Sequence, residues 1–106
     1  MIKQYDIVLV NLDPTRGSEI RKTRPCVIIS PDEMNKYLRT VIIAPITSAS
    51  KAYPTRVPVN QSSVSGWIVI DQIHTIDKSR IIKRLDALSP AEIKQVKAVI
   101  KEAFVD

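Results

Sequence analysis

From residue 7 to residue 85 the chain consists largely of short β-branched runs, each ended by residues that regular structure tolerates poorly. Ile7-Val8-Leu9-Val10, Cys26-Val27-Ile28-Ile29, Val41 to Ile46, Arg56 to Val59, Trp67 to Ile70 and Ile81 to Leu85 are separated by Pro, Asn, Asp, Ser or Gly. β-Branched side chains lose rotamer freedom in a helix and pack well on a pleated surface, so runs of this length are predicted strands. No long helical pattern interrupts them, which points to a small, strongly bent antiparallel sheet or barrel rather than a parallel α/β fold.

A short helix is expected from Asp32 to Leu38, opened by Pro31, and a turn from Asp77 to Arg80. The C-terminal segment changes period. Ser89 with Glu92 three residues on forms a capping box, and Pro90 takes the first helical position, where its missing N–H costs nothing. Ile93, Val96, Ile100, Ala103 and Phe104 then make one apolar stripe, with Lys94, Lys97 and Lys101 on a solvated face. The expected class is mainly β with appended helices (α+β). One domain, 1–106, is expected, because 106 residues bury a core without disulfides or metal and leave no room for a second.

Cys26 is the sole cysteine and His74 the sole histidine, which excludes an internal disulfide and a cysteine-based zinc site. Cys26 reads as a small buried hydrophobe on its strand. The longest apolar runs are strand-length, so no membrane span is expected, and Met1 to Asp6 lacks the apolar core of a secretory leader; the expected location is cytoplasmic.

Sixteen basic residues against eleven acidic ones leave a net charge of +5, which favours a polyanionic partner. Arg16, Arg21, Lys22 and Arg24 crowd the segment Asn11 to Thr23 and its exit, countered by Asp13 and Glu19. That loop exceeds the usual ~4 to 6 residues, and long ordered loops in small domains tend to be functional. Asp13-Pro14-Thr15-Arg16 reads as a turn, with Gly17 at the sharpest bend. It delivers Arg24-Pro25 to one apolar run, while a second run delivers Pro45-Ile46-Thr47-Ser48 to another polar loop. An arginine here suits phosphate, since its planar fork presents paired donors; the alternative is a surface ion pair with Glu19. Thr47 can hydrogen-bond a phosphoryl oxygen or cap a turn through its hydroxyl. Trp67 reads as core or dimer interface.

Four ordered motifs, Leu12-Asp13-Pro14-Thr15-Arg16-Gly17-Ser18-Glu19, Arg24-Pro25, Ala44-Pro45-Ile46-Thr47-Ser48 and Asp71-Gln72-Ile73-His74-Thr75-Ile76-Asp77, resemble the MazF/PemK/Kid toxins of bacterial type II toxin–antitoxin systems. The resemblance implies a small SH3-like barrel of the MazF/CcdB type with a C-terminal helix, usually a homodimer. It implies a sequence-specific endoribonuclease that cuts single-stranded RNA, mRNA included, without metal or cofactor, and a MazE-like antitoxin that covers the RNA site. Carried over by motif, Arg24 and Thr47 are the catalytic pair and Glu19 the loop acid, with Asp71 and Gln72 near the RNA groove. The RNA contacts expected around them are Arg16, Ser18, Arg21, Lys22, Ser48, Lys51 and Tyr53, the last as a stacking surface.

The chain departs from the family where Glu19 is followed by Ile20, Arg21, Lys22 and Thr23 rather than by glutamine and glycine. Ser18 and Val69 also stand where some members carry histidine and arginine. In the implied chemistry the RNA 2′-hydroxyl attacks its neighbouring phosphorus, leaving a 2′,3′-cyclic phosphate and a 5′-hydroxyl, with Glu19, Asp71 and His74 as candidates for proton transfer. The rival is a non-enzymatic CcdB-like gyrase poison on the same fold. Such poisons depend on a C-terminal Trp-Gly-Ile, whereas this chain ends Ala103-Phe104-Val105-Asp106.

Overall fold

Strand pairing organises everything in the computed structural model, which describes residues 2–12, 23–61 and 63–105. In chain order the elements are β1 (Asp6–Asn11), β2 (Thr23–Ile28), α1 (Asp32–Tyr37), β3 (Thr40–Thr47), β4 (Arg56–Gln61), β5 (Val64–Val69), β6 (His74–Asp77), β7 (Ile81–Ala87) and α2 (Pro90–Ile100). Single 3₁₀ turns at Ile70–Gln72 and Lys78–Arg80 flank β6. The strands hydrogen-bond in the order β4-β5-β3-β2-β1-β7, with β6 also on β3, and every pairing is antiparallel. The sheet curls into a half-barrel with α2 packed against β4, as the β-branched runs predict.

Both faces of the central strands are buried. Ile7, Val27 and Ala44 lie in register across β1, β2 and β3 and face a core shared with Ile46, Val57, Ile68 and Val96 of α2. One rung along, Val8 and Cys26 turn to the opposite face and join Val10, Ile28, Val41, Ile43 and Ile76. Successive residues of a strand point to opposite sides, so this two-sided burial explains why the runs are continuously apolar rather than alternating. Burial pushes the Cys26 thiol up to about 12 against the opposing charge of Arg24, which makes it a core hydrophobe and not a nucleophile.

Two prolines mark where the pairing changes. Ile42 turns its N–H and C=O toward the β2 side, meeting Ser30 and Ile29, so Pro45, an odd number of residues on, turns its nitrogen to the other edge. Along that edge β3 pairs β6 through Ile43 and β5 from Ile46, so the missing donor falls at the handover. Pro58 is tolerated because β4 is an edge strand.

The structure adds to the predicted elements in three places. β6, His74–Asp77, is a strand that the alternation of only four residues does not announce. Thr23 and Arg24 belong to β2, so Arg24 lies inside the ladder, opposite Val10, rather than ahead of it. The α2 stripe holds through Val96, with Ile93, Val99 and Ile100 packed beside it, but Ala103 and Phe104 leave it. From Lys101 the chain continues as a wider π-type turn, which rotates the face away from the 3.6-residue period and leaves Phe104 60% exposed.

The capping box of α2 also clasps the sheet. The Ser89 hydroxyl accepts from Glu92 N–H at 3.2 Å, and the Glu92 carboxylate accepts from Ser89 N–H at 2.8 Å, from Asn60 N–H at 2.9 Å and from the Gln61 side chain. Partial burial opposes the Glu92 charge, yet the donors from Ser89, Asn60 and Gln61 outweigh it and hold the carboxyl below its usual range. A depressed folded-state pKa contributes stability that is present above the unfolded value and lost as pH falls through the folded one. Glu92→Ala is therefore expected to cost about 1 kcal/mol in urea denaturation at pH 7 and to flatten the acid limb of the stability curve. An acid limb identical to that of the parent chain would show that this clasp is not the coupled group.

Candidate functional site

The β2–β3 register sets up the site. Cys26 lies opposite Pro45 and Val27 opposite Ala44, so continuing the ladder outward by two residues would place Arg24 opposite Thr47, both on the face of Cys26 and Pro45. The ladder stops at Cys26–Pro45 instead. Ile28 turns its carbonyl to Tyr5, on the β1 side, so Pro25, three residues back, turns its nitrogen toward β3. The 25–46 rung would need an N–H there, and proline has none. β2 and β3 splay from that point, while along its other edge β3 pairs with β5 through Ile46–Ile68 and Thr47–Trp67.

The splay leaves a cleft of about 220 Å³ lined by Thr23, Arg24, Pro25, Ile46, Thr47, Ser48 and Ser65. Arg24 is exposed there, and among the described residues no carboxylate pairs with it. Thr47 keeps its turn-capping role as well: its hydroxyl accepts from Ala49 N–H at 3.3 Å, which fixes the oxygen at the cleft wall. A charged fork and a fixed hydroxyl beside an open, polar-lined cleft suit a phosphate-sized anion.

The remaining expected residues separate into two groups. Glu19, with Arg16, Ser18, Arg21 and Lys22, lies outside the described residues, as does the Gly17 bend. Ser48 lines the cleft, whereas Lys51, Tyr53, Asp71 and Gln72 do not. Tyr53 and Asp71 meet through a residue that the sequence reading treats only as a strand start. Arg56 stacks its guanidinium 5.4 Å from the Tyr53 ring centre, and its Nε lies 3.3 Å from Asp71 Oδ1, which also accepts from the Thr55 hydroxyl at 2.9 Å. This sets the Arg56 guanidinium over one face of the Tyr53 ring, and Tyr53 is about half exposed. Gln72 and Lys51 are exposed, and His74 Nδ1 lies 2.9 Å from the Gln72 carbonyl. Trp67 is half-buried opposite Thr47. Among the described residues no three His, Cys, Asp or Glu side chains gather to hold a metal ion, and no helix is long and apolar enough to cross a membrane.

Sequence reasoning missed Ser65 and Gly66. Ser65 reaches the cleft from β5, the strand that takes over from β6 on the other edge of β3. Gly66 has φ +153°, and a Cβ there would lie 2.4 Å from the Thr47 carbonyl oxygen and 3.1 Å from its carbon. Only glycine lets β5 close on this end of β3. With two glycines in the chain, this one standing directly before the apolar run Trp67 to Ile70 was the available signal.

The chain is a small β protein, a curled antiparallel half-barrel with a polar, arginine-bearing cleft at its splayed edge. The sequence matches the PemK-like, MazF-like toxins of type II toxin–antitoxin systems over residues 3–104, and the chain belongs to that family. A relative named endoribonuclease MazF, from Staphylococcus saprophyticus, is 40% identical over 106 residues, 94% of this chain and 88% of its own. Among solved structures, a chain of the MazE–MazF crystal structure from Deinococcus radiodurans superimposes with TM-score 0.84 at 25% identity, covering 95% of this chain and 93% of that one. A mycobacterial endoribonuclease in complex with its cognate antitoxin shares the fold at TM-score 0.84 and 19% identity, over 97% and 94% of the two chains.

Gly66→Ala is expected to lower the urea midpoint by the equivalent of about 1–3 kcal/mol, because backbone and not a flexible side chain must yield. A midpoint unchanged from the parent would mean that β5 can retreat from Thr47 freely.

Proposed function

We propose that the chain is the endoribonuclease toxin of a type II toxin–antitoxin pair, cutting single-stranded RNA at specific sequences through the Arg24/Thr47 cleft. The observation that carries this reading is the juxtaposition of Arg24, Thr47 and Ser48 around one phosphate-sized opening in a chain of this family. The 40% identical relative named an endoribonuclease adds to it, as do solved MazE–MazF assemblies of the same fold. We place the protein in the cytoplasm, as one domain, acting as a homodimer restrained by a MazE-like antitoxin.

In this mechanism the substrate supplies its own nucleophile. The 2′-oxygen attacks the adjacent phosphorus, the bond to the 5′-oxygen of the next nucleotide breaks, and a 2′,3′-cyclic phosphate and a 5′-hydroxyl result, with no metal required. Arg24, charged at any working pH, neutralises the charge growing on the phosphoryl oxygens; removing such a donor typically costs ~10²–10³ in rate. Thr47, pinned by Ala49, orients one of those oxygens. One proton must leave the 2′-hydroxyl and one must reach the leaving oxygen. Glu19 is the carboxylate assigned to this exchange, since Asp71 Oδ1 is already engaged by Thr55 and Arg56. Asp71 then serves the RNA side indirectly, by holding Arg56 and with it Tyr53 as a stacking surface for an unstacked base. Ser48 and Gln72 supply neutral contacts, and Arg16, Ser18, Arg21, Lys22 and Lys51 are the contacts assigned to the RNA backbone. The disordered acidic tail of an antitoxin would compete for those same cations.

Incubating the purified protein in EDTA with a long unstructured RNA and with its DNA equivalent tests the reading. The RNA should be cut to fragments ending in a cyclic phosphate while the DNA survives, because only RNA carries the attacking hydroxyl. Arg24→Ala and Thr47→Ala, folded by circular dichroism, should each lose about two orders of magnitude in cleavage. Intact RNA in the parent reaction, or equal cutting of DNA, rules the mechanism out.

A further inference from the structure

At the end of β3 opposite the cleft lies a basic, aromatic surface with no part in the chemistry above. Tyr37 is 75% exposed and Leu38 46%, where α1 runs out into β3. With Lys36, Arg39 and Lys78 they line an open cleft of about 420 Å³. The Lys36 ammonium sits 5.4 Å from the Tyr37 ring centre, which leaves the other ring face to solvent. Among the described residues no carboxylate lies within ion-pair distance of Lys36, Arg39 or Lys78. The acid on the same cleft, Asp77, accepts from Ser79 N–H at 2.8 Å and feels the charges of Arg39 and Arg80 beyond ion-pair distance. The acids of α1, Asp32 and Glu33, sit in its first turn, whereas Lys36 sits in its last.

Asp77 also lines a neighbouring cleft of about 530 Å³ that continues past Arg80 to His74 and Leu12. The two clefts share Asp77 as a common wall, so together they lie along a track from Tyr37 to the strand that follows Asp71-Gln72. A lone basic face is ordinarily solvated surface, but three cations without a direct ion pair, an exposed ring and two adjoining clefts together match the way single strands are held: charge along the backbone and a π-face for a base.

We infer that this track, Lys36-Tyr37, Arg39 and Lys78, is a second contact surface for single-stranded RNA, holding substrate that flanks the cut site. The inference rests on the proposed RNA substrate. β3 spans about 23 Å between Thr40 and Thr47, so only RNA longer than the cut site itself reaches both surfaces. An acidic peptide would satisfy the cations but leave the open ring face unused, which is why RNA is the better fit.

Binding is read by fluorescence anisotropy on uncleavable 2′-O-methyl oligouridines of about 4 and about 24 nucleotides, the shorter at the lower end of single-strand site sizes and the longer beyond their upper end. The log–log salt slope of the parent chain should be steeper on the long probe by about 2, three phosphate contacts at roughly 0.7 each. In the triple variant Lys36→Ala, Arg39→Ala, Lys78→Ala the two slopes should coincide, while cleavage of a short substrate is unchanged. Tyr37→Ala should weaken the long probe alone, by about tenfold, the loss of one stacked base. Equal slopes on both probes in the parent chain, or a slope difference that survives in the triple variant, overturn the inference. So does a poly-glutamate peptide that binds through these residues while both RNA slopes stay put, which would make the surface a protein contact. Because the probes cannot be cut, failure to cleave RNA bears on the active-site reading alone.

Discussion

A single absent N–H decides where this sheet opens. Pro25 faces β3 with a ring nitrogen at the rung where a donor is needed, so the β2–β3 ladder ends at Cys26–Pro45. Two residues that a regular ladder would have set side by side, Arg24 and Thr47, become the walls of a cleft. Pro45 performs the matching step on the far edge of β3, where the partner changes from β6 to β5. The motif prolines are therefore structural instructions for the cleft, and the polar residues beside them are placed by the pairing those prolines interrupt.

A cleft made by interrupting a sheet needs a frame that does not relax to close it. Here the frame is the two-sided burial of β1, β2 and β3, in which each rung alternates between two apolar cores. Gly66 then lets β5 seat against the Thr47 carbonyl, and the Glu92 carboxylate ties α2 to the end of the β4–β5 hairpin through Asn60 and Gln61. Asp6, nearly buried, fixes the other side by accepting from Lys3 N–H at 2.9 Å and pairing with Arg84 at 3.3 Å. Polar groups that hold the frame are thus paired, whereas the Arg24 guanidinium at the cleft has no carboxylate partner among the described residues, which is the condition for receiving an anion.

Much of this was legible in the sequence. Six β-branched runs and the capping box reported their elements because strand stiffness and helix-end hydrogen bonds act over a few residues. β6 was not legible, since His74-Thr75-Ile76-Asp77 is a strand by virtue of pairing with β3 and only Ile76 is buried. Arg24 and Thr47 were legible as motif residues, but their meeting depends on a register that no local pattern encodes. Arg56 was hidden for the same reason: its guanidinium matters through Tyr53 and through Asp71, which only the fold brings to it. The end of α2 misled because a regular period was extended over Ala103 and Phe104, where the helix widens.

The central claim is that Arg24 and Thr47 act on one phosphate, and a double-mutant cycle on RNA cleavage tests it most directly. If both contact the same phosphoryl group, removing the second residue should cost much less once the first is gone, so the double variant Arg24→Ala, Thr47→Ala falls well short of the product of the two single losses. Losses that multiply, with no coupling between the two positions, would contradict the shared site.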